Sequence, residues 1–412
     1  MKKILIILCL TCIFCNFVFA DENLEFEDYS SFDINLFLPV SNQSFKEPVT
    51  YSKSIIVIDR KTLLPLYEKN AYEKVSMAST TKIMTCILAL ENCSKTESVR
   101  VSKKASSING STLGLLENME IPLNDLLYGL MLRSGNDCAI AIAEHISGSV
   151  QNFSILMNQK AKELGLFNTN FVTPHGLDNS NHFTTAYDLA ILTDYALKNL
   201  EFKNIVSTKN HTISFNGLPR EISNTNELLG NVNGVYGVKT GFTFEAGRCL
   251  VSSCKRNNLD IIIVVLGADS KKLRTIDSTN LIDYIFDNYT YVDISSTINK
   301  IFLNYIDYFE KNMILKKTST IPNLKLSSIS NYTFPFSKKD SLKLNTKIYL
   351  LNTFSPNISP NSVVGKLYVY NNKSLLCSLD IILENTLVKN DWKYYFKEIF
   401  KTYLFKNNNL CE

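Results

Sequence analysis

Gly234-Val235-Tyr236-Gly237-Val238-Lys239, Arg248-Cys249-Leu250-Val251-Ser252-Ser253-Cys254 and Leu259-Asp260-Ile261-Ile262-Ile263-Val264-Val265-Leu266 follow one another closely in the chain. Each run is short, the third is dominated by β-branched residues, and Arg256-Asn257-Asn258 supplies a turn before it. They predict three neighbouring strands, followed by a helix over Asp277–Tyr289. Far upstream, Ser54–Ile58 and Leu63–Tyr67 predict a hairpin turning at Asp59-Arg60-Lys61. The intervening chain is helical in pattern. Ile83, Met84, Ile87 and Leu88 share one face of a helix over Thr81–Leu90. Leu126–Leu132 and Ala139–Ile146 form two helices broken at Ser134-Gly135-Asn136, and further helices are expected over Phe153–Leu164 and Ala186–Leu197. Strands, a helical block, more strands and a closing helix predict an α+β fold, an antiparallel sheet with a helical subdomain.

The flanks differ. Lys2 and Lys3 precede an apolar run, Ile4 to Phe19, ending at Val18-Phe19-Ala20. About 15 apolar residues suit a signal h-region and fall short of the ~20 that span a bilayer. Residues 1–20 are expected as a signal peptide, 21–48 as a leader or linker and 49–289 as the main α+β domain. Over 290–386 short Ile/Leu/Tyr/Val runs such as Lys347–Leu351 and Val364–Tyr370 alternate with Asn/Ser/Pro turns, which predicts a small all-β domain. Residues 387–412 end the chain with Trp392, Tyr395, Phe396, Ile399, Phe400, Tyr403 and Leu404 on one helical stripe and Lys393, Lys397 and Lys401 on another face. Such a helix is expected to lie in a membrane surface through residues 390–406, holding an exported protein at the outer face of the cytoplasmic membrane.

Composition excludes several classes. The 412 residues are 45% hydrophobic and 20% charged, so the chain is neither disordered nor fibrous. With 43 basic and 39 acidic residues the formal charge is +4, and removal of Lys2 and Lys3 with the signal leaves +2. That is no nucleic-acid-binding balance. Of ten cysteines, Cys9, Cys12 and Cys15 leave with the signal, and the remaining seven include no C-x-x-C pair. Cys86 and Cys93 stand about 10 Å apart along a helix, too far to bridge. Cys249 and Cys254 face opposite sides of a strand. Buried free thiols are expected, with no Cys/His metal site.

Three motifs carry chemistry. Ser79-Thr80-Thr81-Lys82 opens a helix, where residues three apart share a face, so a lysine of lowered pKa can take the serine proton. Ser134-Gly135-Asn136 occupies a helix–helix break, where a hydroxyl and an amide can both face a pocket. Lys239-Thr240-Gly241 ends a strand, offering an ammonium and a hydroxyl to a carboxylate beside a glycine that admits substrate backbone. Each is common alone. Their order and placement together are specific.

On these motifs the chain resembles the penicillin-binding proteins and serine β-lactamases, which carry S-x-x-K, S-x-N and K-T-G. More narrowly it resembles the low-molecular-mass D-alanyl-D-alanine carboxypeptidases, through Ile58-Asp59, Tyr67-Glu68-Lys69-Asn70, Leu126–Met131, His175-Gly176-Leu177, Lys239–Thr243 and Ser359–Leu367. The resemblance implies a β-lactamase/transpeptidase-like catalytic domain, no cofactor and no metal. It implies peptidoglycan stem peptides as substrate and β-lactams as inhibitors. Ser79 would be nucleophile, Lys82 its base and Ser134 the proton relay. Asn136 would orient substrate and lysine, while Lys239 and Thr240 hold the terminal carboxylate beside Gly241. Backbone N–H groups of Ser79 and Phe242 would form the oxyanion hole, and Arg274 would support carboxylate recognition. His175 lies in a turn and is expected to structure its loop. Glu120-Ile121-Pro122-Leu123-Asn124 copies a β-lactamase string but precedes Ser134 instead of following it, which argues against fast β-lactam turnover. A β-lactamase and a catalytically silent peptidoglycan-binding module are the alternatives.

Overall fold

The computed structural model describes residues 29–38, 47–327, 332–338, 342–371 and 374–408, so the signal-peptide expectation for 1–20 lies outside the described residues. The chain divides into two compact units, one comprising Val40–Val292 with Thr333–Asp340 and the other Met1–Pro39, Asp293–Tyr332 and Ser341–Glu412.

The first unit is α+β. Its five-stranded sheet runs Pro65–Lys69, Ser54–Asp59, Leu259–Ala268, Gly247–Arg256, Val235–Thr243, every neighbour antiparallel. Ser54–Asp59 is buried at every position and Leu259–Ala268 at all but Asp260. Near-continuous apolar runs of this kind belong to a sheet covered on both faces. Ile55, Val57, Leu250, Ile261, Ile263 and Val265 pack with Leu281, Ile282 and Ile285 of the closing helix. Alternate residues Ile56, Ile58, Val251, Ile262 and Val264 join the core of the helical block. Burying each such side chain contributes roughly 1.5–3 kcal/mol.

The helical block comprises α1 (Lys82–Asn92), α2 (Lys103–Ser106), α3 (Leu123–Leu132), α4 (Asn136–Ser147), α5 (Val150–Glu163), α6 (Ala186–Lys198) and α7 (Leu200–Ser207). The closing helix is α8 (Lys271–Asn288). Side chains of Ser102, Ser149, Thr185, Asn199 and Ser270 cap α2, α5, α6, α7 and α8 by accepting N–H bonds from the first turn. A hairpin, Asn210–Phe215 with Leu218–Ser223, was not expected from the sequence.

The second unit corrects two expectations. Residues 290–386 are not all-β, because they include an 18-residue helix, α9 (Ser295–Asn312). Ile298, Ile301, Phe302, Tyr305 and Phe309 form its buried stripe, spaced as a helix requires. The sheet runs Tyr29–Leu38, Leu342–Leu351, Val363–Asn371, Ser374–Leu383, Leu324–Leu326, all antiparallel. Residues 21–48 are therefore not wholly a linker: Tyr29–Leu38 is an edge strand, paired from Tyr29 opposite Leu351 to Leu38 opposite Leu342. The last helix, α10 (Trp392–Asn408), leaves Trp392, Tyr395, Phe396, Ile399 and Phe400 exposed. No helix among the described residues is long and apolar enough to cross a membrane.

Candidate active site

All three motifs meet in the first unit. Residues Ala78–Thr81 form a single 3-10 turn that runs directly into α1. Ala78 enters it with φ of 47°, a left-handed conformation that costs a residue with a side chain on the order of 1–3 kcal/mol. The turn is held from three sides. Thr81 Oγ1 donates to the Ala78 carbonyl (2.8 Å) and lies 2.8 Å from His182 Nε2. Gly176, with φ of 85°, passes so close that a Cβ there would meet the Ala78 carbonyl oxygen at 1.9 Å. On the opposite side a Cβ on Gly241 would sit 3.1 Å from the Ser79 nitrogen. The glycine of K-T-G thus lets the motif strand lie against the serine backbone.

Lys82 is fully buried, and its Nζ lies 2.8 Å from each of Ser79 Oγ, Asn136 Oδ1 and the His175 carbonyl oxygen. Burial, reinforced by the nearby charge of Lys239, holds its pKa well below the usual lysine range. The neutral amine has two N–H donors and one lone pair. Asn136 Oδ1 and the His175 carbonyl can only accept, so they take the two protons. The lone pair is left facing the Ser79 hydroxyl.

Ser134 sits in the break between α3 and α4 with φ of 61° and is buried. The break is pinned by Asn136, whose N–H donates to the Ser111 carbonyl (2.7 Å) and whose Nδ2 donates to the Asn109 carbonyl (2.8 Å). The second bond fixes the amide with its oxygen toward Lys82. Asp137, next in sequence, accepts from the N–H groups of Leu113, Gly114, Leu115 and Cys138 at 2.8–3.0 Å. One buried carboxylate therefore ties the 109–115 loop to the first turn of α4, where negative charge is favourable.

Lys239, Thr240 and Gly241 lie on Val235–Thr243, the edge of the sheet, opposite Val251, Leu250 and Cys249. Lys239 is buried, its Nζ donates to the Thr240 carbonyl (2.9 Å), and burial with the charge of Arg274 pushes its pKa down to about 7. Thr240 Oγ1 lies 2.7 Å from Thr225 Oγ1. Phe242 is partly exposed beneath the Arg248 guanidinium, 3.7 Å from its ring centre. Arg274, on α8, is only 3% exposed. It pairs with Glu227 (2.9 Å), and its Nε has no partner among the described residues. An exposed helix arginine would show none of this.

His175 Nδ1 accepts from the Leu177 N–H (3.1 Å), and burial with the Lys82 charge lowers its pKa to about 3. Its carbonyl, not its ring, faces Lys82. Glu120 is exposed in the short strand Glu120–Pro122. Sequence reasoning missed His182, Glu227, Thr225 and the anchoring part of Asp137. His182 Nδ1 accepts from the Val172 N–H (2.9 Å), so its Nε2 carries the proton and donates to Thr81. Burial lowers its pKa to about 4, which keeps the ring neutral above that pH.

Comparison with known proteins agrees with this geometry. The family model for D-alanyl-D-alanine carboxypeptidase (Peptidase_S11) matches residues 41–270. D-alanyl-D-alanine carboxypeptidase DacF of Bacillus subtilis is 40% identical over 244 residues, 58% of this chain and 63% of that protein. DacA of Haemophilus influenzae is 32% identical over 358 residues, 84% of this chain and 86% of that protein. The crystal structure of penicillin binding protein 5 from Haemophilus influenzae superposes with a TM-score of 0.67 at 27% identity, covering 84% of this chain and all of that one. With S-x-x-K, S-x-N and K-T-G gathered around one buried lysine, the chain belongs to the D-alanyl-D-alanine carboxypeptidase family, serine peptidases of the low-molecular-mass penicillin-binding type.

Proposed function

We propose that the protein is a serine D,D-carboxypeptidase that removes the terminal D-Ala from peptidoglycan stem pentapeptides on a β-lactamase/transpeptidase-like fold. The observation that carries this is the Lys82 socket: three 2.8 Å contacts around a buried amine leave one lone pair for Ser79. Ser79 Oγ attacks the carbonyl of the penultimate D-Ala as Lys82 takes its proton. The oxyanion forms beside the Ser79 and Phe242 N–H groups. Ser134 relays a proton to the leaving D-Ala nitrogen, the C–N bond breaks and an ester remains on Ser79. Water then cleaves the ester and restores the hydroxyl. Asn136 orients the substrate and the lysine. Lys239 and Thr240 hold the terminal carboxylate, with Arg274 adding positive potential behind them. The open edge of Val235–Thr243 suits an extended peptide adding as a further strand. A β-lactam acylates Ser79 in the same way, but its leaving nitrogen stays tethered and obstructs water.

The direct test is D-Ala release from a stem pentapeptide, expected for the wild-type chain and lost in Ser79→Ala. Equal release by both would contradict the assignment of Ser79. The Lys239 shift adds a pH expectation. Its ammonium persists below about 7, so kcat/KM for a carboxylate-terminated peptide should fall as pH rises through that value. A Lys239→Arg variant, charged throughout, should not show that limb.

The same reading places the protein outside the cytoplasmic membrane, exported by residues 1–20 and attached through α10. The exposed aromatic stripe supports this, as do Lys393, Lys397 and Lys401 beside it. Each lysine contributes about 1 kcal/mol near an anionic surface. Replacing all three by Gln should weaken binding to phosphatidylglycerol vesicles roughly 100-fold while leaving binding to zwitterionic vesicles unchanged. Cosedimentation reads this directly, and unchanged affinity for both would remove the electrostatic part.

A further inference from the structure

The helices that carry the catalytic motifs also share their opposite ends. α1 begins with Lys82 and α4 with Asn136; Cys93 caps the far end of α1, and His145 lies in the last turn of α4. Glu97 stands between them. Cys93, Glu97 and His145 each offer one ligand atom, and these atoms all lie within 4.8 Å of one another. His145 Nε2 is 2.8 Å from Glu97 Oε2.

The arrangement is built by the backbone. Cys93 N–H donates to the Ala89 carbonyl (3.1 Å), completing α1. The chain then turns through Ser94–Glu97, closed by the Glu97 N–H on the Ser94 carbonyl (3.0 Å). Glu97 Oε1 accepts the Ser94 N–H (2.6 Å), which aims Oε2 at the imidazole. The carbonyls of Lys95 and Glu97 accept from Asn124 and Leu123 at 3.0 and 2.8 Å, fastening the loop to the start of α3. Two ligands therefore come from a fixed turn and the third from a helix.

We propose that Cys93, Glu97 and His145 bind one Zn2+ ion, with a water molecule in the fourth position. A thiolate, an imidazole and a carboxylate are the ligand types zinc takes in tetrahedral sites. Bond lengths of about 2.0–2.3 Å at tetrahedral angles put ligand atoms about 3.4–3.6 Å apart. The Nε2–Oε2 pair must open by roughly 0.6 Å, a side-chain adjustment. The thiol proton of Cys93 passes to solvent as the Zn–S bond forms, and no electrons are transferred. His145 and Glu97 are 25% and 41% exposed, so one face remains open for the water. The ion would clip together the far ends of the two helices whose near ends carry Lys82 and Asn136. Spacing along the sequence hides such a site, because its third ligand arrives from another helix.

The test uses the full chain freed of metal by chelator. Titration calorimetry with Zn2+ should show one equivalent bound, and Co2+ should produce a thiolate-to-cobalt absorption band in the near ultraviolet. Zinc at saturation should raise the unfolding temperature by roughly 5 °C. Cys93→Ser should abolish the band, and His145→Ala should lower zinc affinity at least about 100-fold, since a lost ligand costs no less than a lost supporting contact. Circular dichroism confirms that these partly exposed substitutions leave the fold intact. No binding at micromolar zinc overturns the proposal. So does binding that survives both substitutions, which would place the metal elsewhere. Neither outcome touches the carboxypeptidase reading, because no readout involves acylation.

Discussion

Lys82→Arg should be acylated by benzylpenicillin about 10²- to 10⁴-fold more slowly than the wild-type chain, the range that general-base catalysis contributes. The guanidinium keeps its proton at any pH the protein survives, so no lone pair faces Ser79. The pH profile separates this cause from a loss of packing. In the wild type the acylation rate should rise as Lys82 loses its proton, with a midpoint well below the ordinary lysine value because the amine is buried and Lys239 is close. In the variant that limb should vanish. Stopped-flow acylation between pH 5 and 10 measures both. A variant retaining the wild-type limb would assign the base elsewhere.

Asp137→Ala should lower stability by about 3 kcal/mol or more, because it strands several buried N–H donors at once. Leu113, Gly114 and Leu115 would lose their acceptor, and the 109–115 loop its hold on α4. For a unit of this size that is a fall of roughly 6–12 °C in the unfolding temperature. Acylation should slow as well, since Asn136 Nδ2 depends on the Asn109 carbonyl in the same loop. Asp137→Asn should fall between, keeping one acceptor oxygen while pointing an amide donor at other donors. Differential scanning calorimetry reads the loss. A shift under 2 °C would show that water replaces the carboxylate.

Much of the catalytic unit was legible because its signals are local. The runs at 54–58, 248–254 and 259–266 became strands, and two motifs fell on a helix entry and a helix–helix break, while Lys239-Thr240-Gly241, expected at a strand end, lies inside a strand that continues to Thr243. What was missed depends on partners far away or on backbone atoms. The Lys82 socket uses the carbonyl of His175, which any residue could supply, so side-chain identity leaves no trace of it. His182 acts on Thr81 across 101 positions. Glu227 meets Arg274 only because α8 returns over the sheet. The α9 stripe had the right period, but dense Asn, Ser and Tyr around it read as strand-and-turn composition. The strand at 29–38 alternates Phe32, Ile34, Leu36 and Leu38, yet its partner lies more than 300 residues away.

The central claim is that Ser79, activated by Lys82, becomes covalently acylated. Intact mass of the protein followed over time after benzylpenicillin addition tests it most directly, with Ser79→Ala alongside. We expect a lasting adduct of one drug molecule on the wild-type chain and none on the variant. An adduct of equal extent on both, or none on a folded wild-type chain, would contradict the account.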